Sequence, residues 1–445
     1  MKKNIAIIGS GITGLTIAYY LKKAGIGFRI FEKSNHIGGV INTVSENGFL
    51  FETGPNSGTL SNTQTVRLFE ELSDKFELEL ANDSAKKRLI LKNNKWHALP
   101  SGLFSAVTTP LFSFKDKLRI LGEPFRKPGN NPLETVSELV VRRLGKSFLD
   151  YAIDPFISGI YAGNPDYLVT KYALPKLYNL EQQYGSFIKG AIKKAKEPKT
   201  DIEKKVTKDV FSAKGGLIQI VNAIIKKIGT ENIELNKSIG IIKNDNFYLI
   251  DGQEYSSVVS TVNASELPDL LPFADKNVLQ DIVNTKYAKV TEITIGFKKW
   301  NGIKLDAFGG LIPSKEKKNI LGLLFMSTLF KDRAPEGGAL FTTFTGGIKK
   351  ENLAELSEAE LKEFLEPELK ELLGLSEFKP DLFRAFKHKK AIAQYGADSE
   401  KRLAAIKKIE RENKYLFLAG SIRDGVGLAD RIKQATDIAE QIIAD

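Results

Sequence analysis

The stretch Asn4-Ile5-Ala6-Ile7-Ile8-Gly9-Ser10-Gly11-Ile12-Thr13-Gly14-Leu15 narrows the choice of fold more than any other part of this 445-residue chain, because an apolar strand runs through a glycine-rich turn directly into a helix. Such a turn reads as a dinucleotide cradle. Gly9 permits the tight turn, Gly11 lets the backbone approach a pyrophosphate with no side chain between, and Gly14 lets the helix lie close to the strand. The backbone of Gly9 to Gly14, including Ser10, Ile12 and Thr13, therefore forms the expected phosphate site. A helix N-terminus adds its unpaired N–H groups and partial positive charge.

The flanks carry this reading further than the glycines alone. Leu15, Ala18, Tyr19 and Leu21 give the helix an apolar face, Gly25 stands where a C-cap belongs, and Gly27 to Phe31 reads as a second strand ending at Glu32. Glu32 lies about twenty residues past the glycines, the spacing at which an acid accepts the hydroxyls of an adenosine ribose, with Lys33 beside it. An acid here argues against a 2′-phosphate and hence against NADP. A second glycine pair, Gly38-Gly39, and then Gly54-Pro55-Asn56-Ser57 follow.

Composition excludes whole classes of chemistry. There is no Cys, so disulfides, thiolate metal sites and Cys nucleophiles are ruled out, and the three His (His36, His97, His388) are far apart in sequence. No side chain stands out as a general base, so the hard chemistry is assigned to a bound cofactor and no catalytic residue or metal ligand is named. No run of eighteen apolar residues occurs, so neither a membrane span nor a signal peptide is expected. The formal charge of +11, from 65 basic and 54 acidic residues, calls for an acidic partner or a solvated lysine surface, and nothing calls for nucleic acid.

Further along, Arg88 to Lys92 and Trp96 to Leu99 alternate as strands, with Arg88, Ile90 and Lys92 on one face. From Ser101 to about Lys205 the period is helical, with Phe104, Leu111, Phe112, Phe114, Leu118 and Leu121 as large apolar residues. Phe187 to Lys199 interleaves apolar residues with five lysines and fits either an anionic bilayer or a solvated helix face. Strands are expected at 232–235, 247–250, 258–262, 291–297 and 339–345.

Several motifs together carry a family resemblance. Glu32 followed by Gly38-Gly39 is similar to the FAD-binding amine oxidase and phytoene desaturase superfamily, and Gly54-Pro55-Asn56-Ser57 more narrowly resembles protoporphyrinogen oxidases. The same family is resembled by Asp154-Pro-Phe-Ile-Ser-Gly-Ile-Tyr-Ala-Gly-Asn-Pro165, Phe308-Gly-Gly-Leu-Ile-Pro313, Lys390-Ala-Ile-Ala-Gln-Tyr395 and Gly420-Ser-Ile-Arg-Asp-Gly-Val-Gly-Leu428. Asn164 replaces the family's Asp, Ala393 its Pro, and Ser421 stands where other flavin oxidases have an acid.

The resemblance implies an α/β fold with three domains. A discontinuous Rossmann-like FAD-binding domain takes 1–85, 206–265 and 388–445, a mixed-sheet substrate domain takes 86–100 and 266–387, and a helical, membrane-facing domain takes 101–205. By resemblance FAD is held by the residues already named and by Gly54, Pro55, Asn56, Ser57, Ile239, Gly420, Val426, Gly427 and Leu428. The porphyrinogen would meet Arg88, Gly163, Phe308 and Leu311, with Arg88 pairing a propionate. The implied activity is oxidation of protoporphyrinogen IX or coproporphyrinogen III by O2 in haem biosynthesis, giving H2O2. It implies a monomer or homodimer, cytoplasmic or peripheral on the inner face of the membrane. The alternatives are another flavin amine oxidase or carotenoid desaturase, or a non-catalytic flavin or tetrapyrrole carrier.

Overall fold

A computed structural model of the chain describes residues 3–444. Its first sheet is parallel and has the spatial order Ile233–Glu234, Gly27–Phe31, Asn4–Ile8, Ser257–Ser260, Leu416–Leu418. The strands are apolar on both faces because both are covered, as parallel sheets require. On one side pack the helices Ile12–Lys23, Ile218–Ile228 and Leu428–Ala444, burying Leu15, Ile220, Ile224, Ile432 and Ala435. On the other side a three-stranded antiparallel sheet, the short helices Leu267–Leu270 and Lys276–Val283, and the helix Ser399–Glu412 bury Tyr248, Leu279 and Ile406.

The second sheet has seven strands, ordered Leu382–Ala393, Tyr287–Phe297, Ala339–Gly346, Ile320–Phe325, Gly309–Leu311, Arg88–Lys92, Lys95–Ala98. Every pairing is antiparallel except the parallel one that sets Gly309 beside Arg88 and Leu311 beside Ile90. One face buries Ile293, Ile295, Phe325 and Phe341 against the helix Glu358–Leu373. The register puts Arg88, Ile90, Leu311, Leu324, Phe344, Glu292 and His388 on the other face, toward the nucleotide sheet and the helices.

Two expected domain edges move. Leu382–Ala393 stays hydrogen-bonded to Tyr287–Phe297, so the second sheet extends past 387 to Ala393. Residues 264–283 pack their apolar side chains on the nucleotide side, so that side extends past 265. Packing partners set both edges, and no change of composition marks them.

The segment 101–205 is helical as expected, but its apolar residues divide. Leu111 and Phe112 are buried against Ile90 and Tyr151. Phe104 (83% exposed), Phe114, Leu118, Leu121 and Phe125 (85% exposed) face outward. Within, charge does much of the joining: fully buried Arg143 pairs with Glu123 at 3.0 Å and Glu181 at 3.1 Å, and Arg142 forks onto Glu134. No described helix is long and apolar enough to cross a membrane.

Candidate cofactor and substrate site

The C-terminal ends of the parallel strands gather the glycine turns. Gly9 has φ +105, and a Cβ on it would lie 2.4 Å from Thr261 Oγ1; one on Gly420 would lie 2.9 Å from Thr261 O. Thr261 thus holds the two turns side by side, and its hydroxyl donates to Ile8 O at 2.8 Å. A Cβ on Gly14 would lie 2.1 Å from Gly9 O, which accounts for the third glycine of the motif. Gly38 bridges Gly11, and a Cβ on Gly39 would lie 3.1 Å from Gly11 Cα, so the second glycine pair packs on the first. A Cβ on Gly54 would meet Val40 O at 2.0 Å, and Pro55 and Ser57, half-buried, follow it.

Gly11 differs from all of these, because a Cβ there would meet nothing within 4 Å. It is also the N-cap of the helix Ile12–Lys23 and supplies no side-chain cap. The amides of Ile12, Thr13 and Gly14, the first of the helix, are therefore left uncovered by any side chain at Gly11, the arrangement a pyrophosphate requires. The residues present fit a dinucleotide.

Glu32 stands at the mouth of this cradle. Its carboxylate accepts from Ser10 N (2.8 Å), Ser10 Oγ (2.7 Å), Ser34 N (2.8 Å) and Ser34 Oγ (2.8 Å). Burial pushes its pKa up, but these four bonds outweigh it and hold the carboxyl below its usual range. Two of the donors are hydroxyls, which rotate, so a ribose diol would take their places and leave the backbone bonds intact. Lys33 points outward toward Glu266. Ile239 follows a segment tied to the same strand end, where Lys237 N donates to Glu32 O at 2.8 Å. Glu32→Ala removes the ribose acceptor and also two anchors of the glycine turn. Flavin affinity is expected to fall by about 1.5–3 kcal/mol, roughly tenfold to a hundredfold, and titration of the apoprotein with FAD measures it.

At the other end of the site, the loop before Leu428–Ala444 is held from several sides. Tyr395 Oη donates to Gly425 O at 2.8 Å, Arg431 donates to the Gly420 and Gly425 carbonyls, and Gly420 N donates to Gln434. Burial pushes the Tyr395 hydroxyl up to about 12, so it stays a donor. The amides of Val426 and Gly427, expected to meet the cofactor, donate to Asp430 Oδ2 at 3.1 and 3.0 Å, since an acid in the first turn reaches back to them. Leu428 begins the helix, and its first-turn amides carry the helix dipole into the site.

Asn56 is buried, donates to Gly54 O (3.1 Å) and Glu292 Oε1 (2.6 Å), and accepts from Thr342 Oγ1 (2.9 Å), so its side chain joins the two sheets.

Of the four expected substrate residues, two meet directly. The Arg88 guanidinium lies over the Phe308 ring, 5.3 Å from its centroid, while Phe308 N donates to Lys87 O. Arg88 is exposed and forms no ion pair among the described residues, whereas Lys92 on the same face is tied to Pro110 O and Leu111 O. Leu311 and Phe308 are both half-buried and pack against different apolar clusters. Leu311 packs on Ile90 and Tyr151, and a Cβ on Gly159 would come within 2.5 Å of it, which places it at the seam with the helices. Gly163 is buried at the end of the helix Asp154–Tyr161. The carbonyls of Tyr161 and Ala162 accept from Gln394 Nε2 and Ile348 N, and that of Gly163 has no donor among the described residues.

Residues 12–443 match the family model described as flavin containing amine oxidoreductase. The chain belongs to this family. The cofactor that the flavin oxidoreductase cradle fits is FAD. The chain is 31% identical over 482 residues to the mitochondrial protoporphyrinogen oxidase of Nicotiana tabacum, covering 99% of this chain and 95% of that one. It is 24% identical to the coproporphyrinogen III oxidase of Bacillus subtilis (strain 168), covering 97% and 96%. A crystal structure from Exiguobacterium sp., provisionally named a protoporphyrinogen oxidase, superposes with TM-score 0.82 at 22% identity over 100% of this chain and 99% of that one. Reduced UDP-galactopyranose mutase shares the fold at TM-score 0.76 and 17% identity, over 99% and 96%.

Proposed function

We propose that this flavin oxidoreductase oxidises a porphyrinogen, protoporphyrinogen IX or coproporphyrinogen III, to the porphyrin in haem biosynthesis, with O2 as the final acceptor and H2O2 as product. The observation that carries this reading is Arg88. It is a guanidinium without an ion partner among the described residues, seated on an aromatic ring at the rim of a half-buried apolar face, and it matches a flat macrocycle that bears propionates at its edge. The relatives named for porphyrinogen oxidation support the same substrate class.

Bound FAD supplies the two-electron acceptor and its reoxidation by O2. The protein's part is to bind and orient. Arg88 grips a carboxylate, Phe308, Leu324 and Phe344 offer apolar surface to the macrocycle, and the Gly163 carbonyl is an acceptor for a pyrrole N–H. The test is a half-reaction: each porphyrinogen, a primary amine and a carotenoid precursor are added without air to the flavin-loaded protein. Bleaching of the flavin by a porphyrinogen alone supports the reading. Bleaching by the amine or the carotenoid precursor alone would replace it.

We infer also that the helical region docks this enzyme on an anionic bilayer, from the cytoplasm and on the inner face of the membrane. Phe104, Phe114, Leu121 and Phe125 are exposed, and the Lys189 ammonium lies over the Phe125 ring on a helix that also carries Lys193 and Lys194, a pairing of apolar and cationic side chains suited to a lipid interface. Each phenylalanine transferred to lipid contributes about 1.5–3 kcal/mol. Phe104→Asp combined with Phe125→Asp should therefore cut co-sedimentation with phosphatidylglycerol vesicles at least about tenfold while leaving flavin content unchanged. Equal sedimentation of both proteins would return this face to water.

A further inference from the structure

On the sheet face that carries Arg88, two buried polar atoms confront each other with no hydrogen-bond partner. They are Glu292 Oε2 and His388 Nε2, 3.6 Å apart on neighbouring strands. An orphaned buried acceptor is costly and calls for an explanation. Glu292 is 1% exposed, and its other oxygen is held by Asn56 at 2.6 Å, two residues beyond Gly54 of the cofactor wall. Phe344 and Phe386 flank it across the strands. The His388 side chain is a quarter exposed, so the pair spans from the interior of the site face to solvent.

We propose that Glu292 and His388 are the proton outlet of the oxidation, taking the N–H proton that the macrocycle releases and delivering it to solvent. This rests on the porphyrinogen reading above. In each round a ring C–H bond breaks with its electron pair leaving as hydride to the enzyme's oxidant, and a pyrrole N–H bond breaks with its pair remaining to form C=N. The pair begins with one proton, on Glu292. Transfer of that proton to His388 Nε2 frees Oε2, which then forms an O–H bond with the N–H proton; the imidazolium swings Nε2 out to solvent, loses that proton to water and returns as the Nδ1–H tautomer, and the pair is restored.

Burial, as the largest influence, pushes the Glu292 carboxyl above its usual range, against the opposing effects of His388 and Asn56, consistent with a carboxyl that holds a proton at rest. Other charges near the pair are committed elsewhere. Glu52 is paired with Arg333 at 3.2 Å, Arg384 with Glu46 and Glu358, and Lys390 with Ser265 Oγ.

Glu292→Gln keeps the shape and the Asn56 contact while removing the proton site. It should lower kcat for porphyrinogen by about a hundredfold or more with flavin content and KM little changed. The wild type should lose kcat on the acid side, where the pair holds two protons and cannot accept another, and Glu292→Gln should lose that limb. His388→Ala should be slowed as well and be rescued by added imidazole, because the ring reaches the surface. Infrared difference spectra of wild type against Glu292→Gln should show a protonated carboxyl band persisting above the ordinary Glu range, a readout independent of turnover. Wild-type kcat and pH profile in Glu292→Gln, or absence of that band, would overturn the outlet while leaving the functional reading standing. A wild-type protein that oxidises neither porphyrinogen would overturn both.

Discussion

A Gly11→Val variant is expected to fold and to purify colourless, whereas the wild type purifies yellow with non-covalent FAD. At this position φ is −69° and ψ 174°, an extended backbone that valine favours, and a Cβ meets nothing within 4 Å. The added Cβ therefore meets no protein atom, and the isopropyl group it carries fills the space left for the pyrophosphate. Losing even two charge-assisted hydrogen bonds at about 2 kcal/mol each weakens binding roughly a thousandfold. The contrast is with Gly14 and Gly54, where a Cβ would strike backbone oxygen at 2.1 and 2.0 Å and the fold itself would suffer. A visible spectrum and a circular-dichroism melt separate the two cases. A yellow Gly11→Val protein would refute the cradle.

Arg88→Ala should raise KM for porphyrinogen about tenfold or more, with Arg88→Lys intermediate and flavin content unchanged. A charged hydrogen-bonded pair contributes about 1.5–3 kcal/mol, and lysine replaces the charge without the planar fork. The structure adds a second consequence. Because Arg88 lies over Phe308, Phe308→Ala should raise KM as well, by removing apolar surface and releasing the guanidinium. The two substitutions should be less than additive when combined, since each disturbs the other's contact. Steady-state kinetics of the single and double variants, with flavin spectra as a control, measure this. Unaltered KM in Arg88→Ala would make Arg88 a solvated strand-end residue.

Much of the nucleotide side was legible because its determinants are local. The glycines, Glu32 and the apolar strand lie within thirty residues; Gly9 makes the tight turn, Gly14 the close approach, and Glu32 reaches back to Ser10 in that turn. Arg88 and Phe308 were legible through motifs, but their contact depends on a parallel pairing across more than two hundred residues that no local pattern encodes. Glu292 and His388 were missed for the same reason. Three scattered histidines suggested no partner for any of them, and only the register of neighbouring strands sets His388 against a carboxylate. The bonds of Asn56 to Glu292 and Thr342 were not legible either, because both partners arrive from the second sheet. In the helical region the period was correct, but period alone does not say which apolar residues meet protein and which face outward. Leu111 and Phe112 find Ile90 and Tyr151, while Phe104 and Phe125 stay more than four-fifths exposed.

The central claim, a flavin enzyme that oxidises porphyrinogens, is tested most directly by mixing the yellow protein with protoporphyrinogen IX or coproporphyrinogen III under air and following porphyrin fluorescence and O2 uptake together. The account predicts fluorescence that rises in proportion to enzyme, O2 consumed with H2O2 formed, and no enzymatic rise with Gly11→Val. A wild-type rate no greater than air oxidation without enzyme, for both substrates and with flavin fully bound, would contradict it.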